Sequence, residues 1–199
     1  METALNIIDL VWDKFLSPVY DKIIPDKYPK RFLNILNPNE NDIILEAGAG
    51  TGRISKYYGE KVKQLHLVDS SAKMLQQAKN NKKLKNSIFH VGYVENLPYK
   101  DNTFDKIVCY FSFHHWQDQP GGLKEIYRIL KPNGLVVFVE IDRNSLWGCI
   151  LQILEWVGQM KSRMFPSKSF IKTLKNFKFI KVEYIQTRSS YIFISICSK

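Results

Sequence analysis

Cysteine is scarce in this 199-residue chain: there are three, Cys109, Cys149 and Cys197, far apart and without a C-x-x-C pair. A disulfide framework is therefore excluded, and a reduced, cytoplasmic setting is expected. Long apolar runs are also missing, since the longest uncharged apolar-rich stretch, Asn144 to Leu154, is too short to cross a bilayer. Met-Glu-Thr-Ala at the start puts an acid where a secretory leader carries bases, so no leader is expected. No internal repeat or low-complexity tract occurs, and a mix of 45% apolar and 24% charged residues excludes disorder. Acids are nearly absent from one region. Up to Asp142 the chain has nineteen basic and seventeen acidic residues; from Arg143 onward it has ten and two. Of the net charge of +10, then, +8 falls on the last quarter.

What remains is a regular alternation of short apolar runs and amphipathic stretches. Leu10, Val11, Trp12, Phe15, Leu16 and Val19 predict a helix over 5–18, and a second short one is expected from Lys30 to Leu36. Strands are expected over 42–47, 62–68 ending at Asp69, 88–91, 106–111 and 135–141. Helices are expected from Arg53, from a cap at Ser70 or Ser71 to Lys79, and from Gly122 to Leu130. This predicts βαβ crossovers and an α/β, doubly wound, mostly parallel sheet. The runs 179–185 and 191–197 are separated by too few residues for a crossover helix and must pair as a C-terminal antiparallel hairpin. The length suits a single domain. Its expected parts are an N-terminal helical cap (1–40), a cofactor-binding core (41–141), a helical acceptor region (142–176) and the terminal hairpin (177–199).

Glu46-Ala-Gly48-Ala49-Gly50-Thr-Gly52 lies where the first strand hands over to the next element. Glycines there allow a tight turn and let a ligand approach backbone N–H groups. Neither the dinucleotide fingerprint nor the P-loop fits, because Arg53 occupies the third glycine position and no Gly-Lys-Ser/Thr follows. A carboxylate at Glu46 would repel a pyrophosphate and favour a cation. Asp69, at the end of the second strand, can accept hydrogen bonds from both hydroxyls of a ribose. A nucleoside with a positively charged, phosphate-free tail suits this pair, and S-adenosyl-L-methionine is one.

With these residues in place, the sequence resembles the class I S-adenosylmethionine-dependent methyltransferases. The likeness is greatest to the small-molecule branch that includes the ubiquinone/menaquinone C-methyltransferases. It runs from about Tyr20 to Leu135 and rests on Leu45-Glu-Ala-Gly-Ala-Gly-Thr-Gly52, Val68-Asp-Ser-Ser71, Glu95-Asn-Leu-Pro-Tyr-Lys-Asp-Asn-Thr-Phe-Asp105 and Arg128-Ile-Leu-Lys-Pro-Asn-Gly134. The resemblance implies a Rossmann-like sheet of seven strands and a product, S-adenosyl-L-homocysteine. It implies that Gly48, Ala49 and Gly50 lie under the cofactor, with Glu46 near its ammonium group and Asp69 on the ribose. Ser70 or Met74 would flank the adenine, and Tyr110 would line the methionine side. Where the family commonly has Gly-Asp-Ala, this chain has Gly92-Tyr93-Val94. Tyr93 must replace an acid through its hydroxyl or its ring, while Val94 keeps its backbone N–H.

In-line methyl transfer needs alignment more than acid or base. If the acceptor carries a proton, the candidate bases are His114 and His115, directly after the fourth strand, and at least one should face the cleft. A metal site is not expected, since no further Cys or His lies at ligand spacing. The Asn/Asp-Pro-Pro-aromatic tetrad of amino-methylating nucleic-acid enzymes is absent, and Cys109 sits inside a strand rather than in a Pro-Cys setting. A small, amphiphilic or anionic, quinone- or lipid-like acceptor is expected instead.

Trp147, Ile150, Leu151, Leu154 and Val157 predict an apolar helical face, widened by Leu146, Ile153, Trp156 and Met160. A second helix capped by Ser167 or Ser169 would carry Lys168, Lys172, Lys175 and Lys178 on one side and Ile171, Leu174 and Phe177 on another. Together they suggest an apolar cleft rimmed by cations, or a peripheral dock on an anionic membrane surface. Two alternatives stay open: an RNA methyltransferase, suggested by Lys82-Lys83-Leu-Lys85, and a binding protein on the same scaffold that has lost catalysis. Nucleic acid is the less favoured partner, and the pattern allows a monomer or a homodimer.

Overall fold

A computed structural model describes residues 29–157, 162–177, 179, 181–186 and 192–199. The helix expected over 5–18 lies outside them. Seven strands are present: β1 (Ile43–Ala47), β2 (Gln64–Asp69), β3 (Ile88–Val91), β4 (Phe104–Tyr110), β5 (Leu130–Ile141), β6 (Lys181–Gln186) and β7 (Ile192–Ser198). They form one sheet in the order β3-β2-β1-β4-β5-β7-β6. Neighbours from β3 to β5 run parallel, while β7 runs antiparallel to both β5 and β6. The expected doubly wound sheet with an antiparallel terminal hairpin is what forms. Chain order reverses between β1 and β4, and ligands of open α/β sheets bind outside the carboxyl ends of the strands at such a point.

The helices are α1 (Pro29–Leu36), α2 (Ala72–Lys79), α3 (Gln119–Ile129), α4 (Leu146–Val157) and α5 (Ser167–Asn176). Alternate strand residues enter two cores. Leu45 and Ala47 of β1 join Leu123, Ile126, Phe170 and Leu174 of α3 and α5. Ile44 instead joins Phe32, Leu36, Leu75 and Ala78 of α1 and α2. A sheet covered on both faces explains why its strands read as continuous apolar runs.

Three expectations need correction. The stretch from Arg53 is not an α-helix but two short 3-10 turns, Ser55–Tyr57 and Gly59–Lys61. The hydroxyls of Ser55 and Tyr58 both reach back to the Glu46 carboxylate, which winds the chain tightly at this point. Ser167 does not cap α5; its hydroxyl donates to Asp142 Oδ2 at 2.6 Å, and Pro166 precedes the helix without a side-chain cap. The same Asp142 carboxylate accepts from the N–H groups of Asn144 and Ser167, so it ties the starts of α4 and α5 together.

The third correction concerns α4, where of the expected apolar face Leu151 packs against the core while much of the rest looks outward. Leu146, Trp147, Ile150, Ile153 and Trp156 are exposed, Trp156 by 76%, while Glu155 is buried. The lysines Lys168, Lys172 and Lys175 of α5 are exposed as expected; Met160 and Lys178 lie outside the described residues.

Candidate functional site

A cavity of about 620 Å³ opens at the carboxyl ends of β1, β2 and β4, lined by residues from Glu46 to Gln117. Its floor is the glycine loop. Gly48 has φ +75° and Gly50 φ +54°, left-handed conformations that glycine adopts without strain. A Cβ on Gly48 would lie 2.4 Å from Ser112 Cβ, whereas one on Gly50 would meet only Met74 Cε, at 3.5 Å. The loop is held by Val68, whose carbonyl accepts from both Gly48 and Ala49 at 2.8 Å.

Asp69 completes that hold. Its Oδ2 accepts from Gly50 N–H and its Oδ1 from Ser71 N–H, each at 2.8 Å. Burial raises its pKa, and the two N–H groups oppose that rise. Each carboxylate oxygen keeps a second lone pair for a ligand hydroxyl. Ser71 caps α2 through Met74 N–H, which places Ser70 and Met74 on the cavity wall.

Glu46 lies at the inner end, 2% exposed, accepting from the Ser55 hydroxyl and from the Tyr58 hydroxyl at 2.6 Å. Burial pushes its pKa up to about 7, against the pull of those hydrogen bonds and of the Arg53 charge. The carboxyl is thus poised to ionise when a cation arrives.

The opposite wall is built after β4. Phe111 has φ +51°, rare for a side chain of its size, and this kink throws the chain across the sheet end. The turn is anchored from β5, where Glu140 Oε1 accepts from Ser112 N–H (3.2 Å) and Phe113 N–H (2.9 Å). Ser112 Oγ donates to the carbonyl of Ala47 at 2.6 Å. The Arg53 guanidinium lies 5.8 Å from the Tyr110 ring centre and 5.9 Å from that of Phe111, which stiffens this rim.

The two histidines part company. His115 borders the cavity. His114 is buried behind it, with Nδ1 2.6 Å from Glu140 Oε2 and Nε2 3.8 Å from Glu155 Oε1. Burial works against a charged His114, but the charge and hydrogen bond of Glu140, helped by Glu155, raise its pKa overall. His115 is shifted well below its ordinary value, first by the protein packed around its ring and then by His114.

The cavity therefore gathers Glu46, Gly48, Ala49, Gly50, Asp69, Ser70, Met74, Tyr93, Val94, Tyr110 and His115, and leaves out His114. Tyr93 is 54% exposed at the mouth, and Val94 is buried. Sequence reasoning missed Arg53, Phe111, Ser112 and Trp116 on the walls, and Glu140 and Glu155 behind them. Among these, only the two carboxylates left no local signal, because they reach His114 from 26 and 41 residues further along the chain.

A doubly wound sheet with an antiparallel seventh strand, and an acid-flanked glycine loop at its switch point, define a methyltransferase domain of the class I, S-adenosylmethionine-dependent type. Residues 45–138 match the model of a methyltransferase domain family. It is 31% identical over 142 residues to the demethylmenaquinone methyltransferase of Thermotoga maritima, a match covering 69% of this chain and 61% of that protein. It is 33% identical over 142 residues to the chloroplastic 2-methyl-6-phytyl-1,4-hydroquinone methyltransferase of Spinacia oleracea, covering 67% and 41%. Among solved structures, a Haloferax volcanii methyltransferase in complex with the Trm112 methyltransferase activator superposes with a TM-score of 0.80. It is 15% identical, with 96% of each chain covered, and shows the shared fold.

The residues present fit the cofactor. The only steric gap in the loop is at Gly50, facing the cavity; Asp69 offers free lone pairs there; and the buried Glu46 carboxyl suits an ammonium.

Proposed function

We propose that this chain transfers a methyl group from S-adenosyl-L-methionine to a small amphiphilic acceptor carrying an oxygen-bearing ring or chain. The observation that carries this reading is the single cavity that joins the Gly48–Gly50 loop, Asp69 and Glu46 at the switch point of the sheet. When bound, the cofactor supplies a methyl already activated by its sulfonium. Glu46 answers the ammonium charge, and Asp69 holds the ribose hydroxyls while keeping the loop closed through Gly50. Tyr110 and Phe111, braced by Arg53, exclude water from the reacting end. Alignment of this kind can contribute about 7–11 kcal/mol to the rate without proton transfer. His114 has no access to an acceptor; His115 is the imidazole at the acceptor wall.

An amphiphilic acceptor is supported by the names of the two relatives and by the exposed apolar residues of α4, in a stretch of chain that also exposes the cations Arg143, Arg163 and Lys168. Such a face suits an anionic lipid surface from which an acceptor is drawn. Calorimetry with S-adenosyl-L-methionine, followed by a radiolabelled-methyl assay against quinols and phenolic lipids, tests the proposal. A folded sample that does not bind the cofactor sinks it. Methyl transfer to RNA rather than to lipid extracts would replace the acceptor class.

A further inference from the structure

The region behind the cavity holds a cluster that methyl transfer does not explain. Nitrogen and oxygen atoms of His114, His115 and Glu155 lie within 4.8 Å of one another. His114 Nε2 and both carboxylate oxygens of Glu155 are buried without a hydrogen-bond partner. Burial raises the Glu155 pKa against the opposing pull of His114 and of Ser162, whose hydroxyl does not reach hydrogen-bond geometry with the carboxylate. Buried polar atoms normally find partners, and a buried carboxylate facing an imidazole nitrogen at 3.8 Å is too far away to share a proton well. The surroundings are held firmly. His114 O accepts from Arg163 N–H at 2.7 Å, and Gln119 ties Phe113 O to Arg163 O.

The other nitrogen of His114 completes the pattern. Nδ1 lies 2.6 Å from Glu140 Oε2 and Nε2 faces Glu155, so with Nδ1–H donated to Glu140 a neutral His114 would turn its Nε2 lone pair toward Glu155, in place of the proton that the two carboxylates otherwise favour. A histidine that ligates a metal almost always donates its second N–H to a carboxylate or carbonyl in this manner. Two imidazoles and one carboxylate form a ligand set of the zinc class, with a fourth position left for an oxygen ligand.

We propose that His114, His115 and Glu155 form a divalent-cation site just behind the acceptor wall, which meets the cavity only through His115, with Glu140 as the outer carboxylate that orients His114. The edge of a tetrahedral zinc site is about 3.4 Å, so the 3.8 Å pair needs only a small closure. The wider separations close by movement of His115, which is exposed on one side. The inference deepens the reading above and rests on it for the acceptor. The ion would take an acceptor oxygen, such as a phenolate or enolate, and His115 would act as ligand rather than base.

The test is titration of the chelator-stripped, full-length chain with Zn²⁺ by calorimetry and with Co²⁺ by visible absorption. One ion per chain is expected, with the d–d bands of a low-coordinate Co²⁺ site. Glu155→Gln and His115→Ala should each weaken binding by about tenfold or more, and Glu140→Gln by roughly 10–100-fold. Circular dichroism melts confirm that each variant is folded; if Glu140→Gln is not, the other two carry the test. Absent binding, or binding unchanged in Glu155→Gln and His115→Ala, overturns the proposal. Cofactor calorimetry on the same samples separates this outcome from failure of the methyltransferase reading.

Discussion

Gly48→Ala should be one of the most damaging single-methyl additions in the chain. Two costs combine. Alanine at φ +75° sits in the left-handed region, a strain of about 1–3 kcal/mol. Its Cβ also falls 2.4 Å from Ser112 Cβ, which cannot swing aside because Cβ is fixed to the backbone. That backbone is pinned by Glu140, and the Ser112 hydroxyl is pinned by Ala47 O. Overpacking against so rigid a neighbour costs about 1–3 kcal/mol more, for a total of roughly 2–6 kcal/mol. Gly50→Ala is the control. It has a similar φ of +54° but only an ordinary contact with Met74 Cε at 3.5 Å, so strain alone should cost about 1–2 kcal/mol. Urea unfolding of both variants measures the difference. A double-mutant cycle with Ser112→Gly should recover the overlap but not the strain, with a coupling of about 1–3 kcal/mol. If Gly48→Ala costs no more than Gly50→Ala, close approach is not why glycine stands at this position.

Three further outcomes are expected. Asp69→Ala leaves the N–H groups of Gly50 and Ser71 without their acceptor, which loosens the loop, and removes the acceptor proposed for the two ribose hydroxyls; at about 1.5–3 kcal/mol per hydrogen bond to a charged group, cofactor binding measured by calorimetry should weaken by roughly 100-fold or more. Glu46 has a folded-state pKa of about 7 against an ordinary 4.5, so the folded state binds its proton more tightly, and stability contributed by that proton falls as pH rises from 4.5 to 7. Glu46→Gln should therefore gain about 3 kcal/mol relative to the parent between pH 4.5 and 8, read from urea midpoints; a constant difference refutes the shift. Trp156→Ala and Ile153→Ser, at exposed positions, should change stability by less than about 0.5 kcal/mol while reducing flotation with anionic liposomes; unaltered flotation removes the lipid-surface role of α4.

The parts of the fold that were legible in sequence are those written locally. Leu45-Glu-Ala-Gly and Val68-Asp announce two strand ends, and a buried parallel strand has no choice but to be apolar. Asp69 and the glycine loop could be paired because the βαβ unit brings consecutive strand ends together. The helix expected after Gly52 failed because a buried carboxylate at Glu46 draws Ser55 and Tyr58 inward, a tertiary demand that helical propensity does not contain. The orientation of α4 failed for a related reason. Apolar periodicity points such a helix inward, but Gln152 and Glu155 take the inner side, Gln152 bonding Met164 N–H and Ser162, with Glu155 facing His114.

The Asp142 carboxylate has a consequence for how such a protein can change. By gripping Asn144 at one side and Ser167 at the other, it fastens the two ends of a 25-residue excursion at a single neck, reinforced by Arg143 N–H on the carbonyl of Phe165. Closing an excursion at its neck makes the cost of its length small, since that cost grows only logarithmically. The enclosed segment, with α4 and its outward face, is therefore an exchangeable cassette. It can be lengthened, shortened or replaced to meet a new acceptor, while the sheet and the glycine loop below keep the same register.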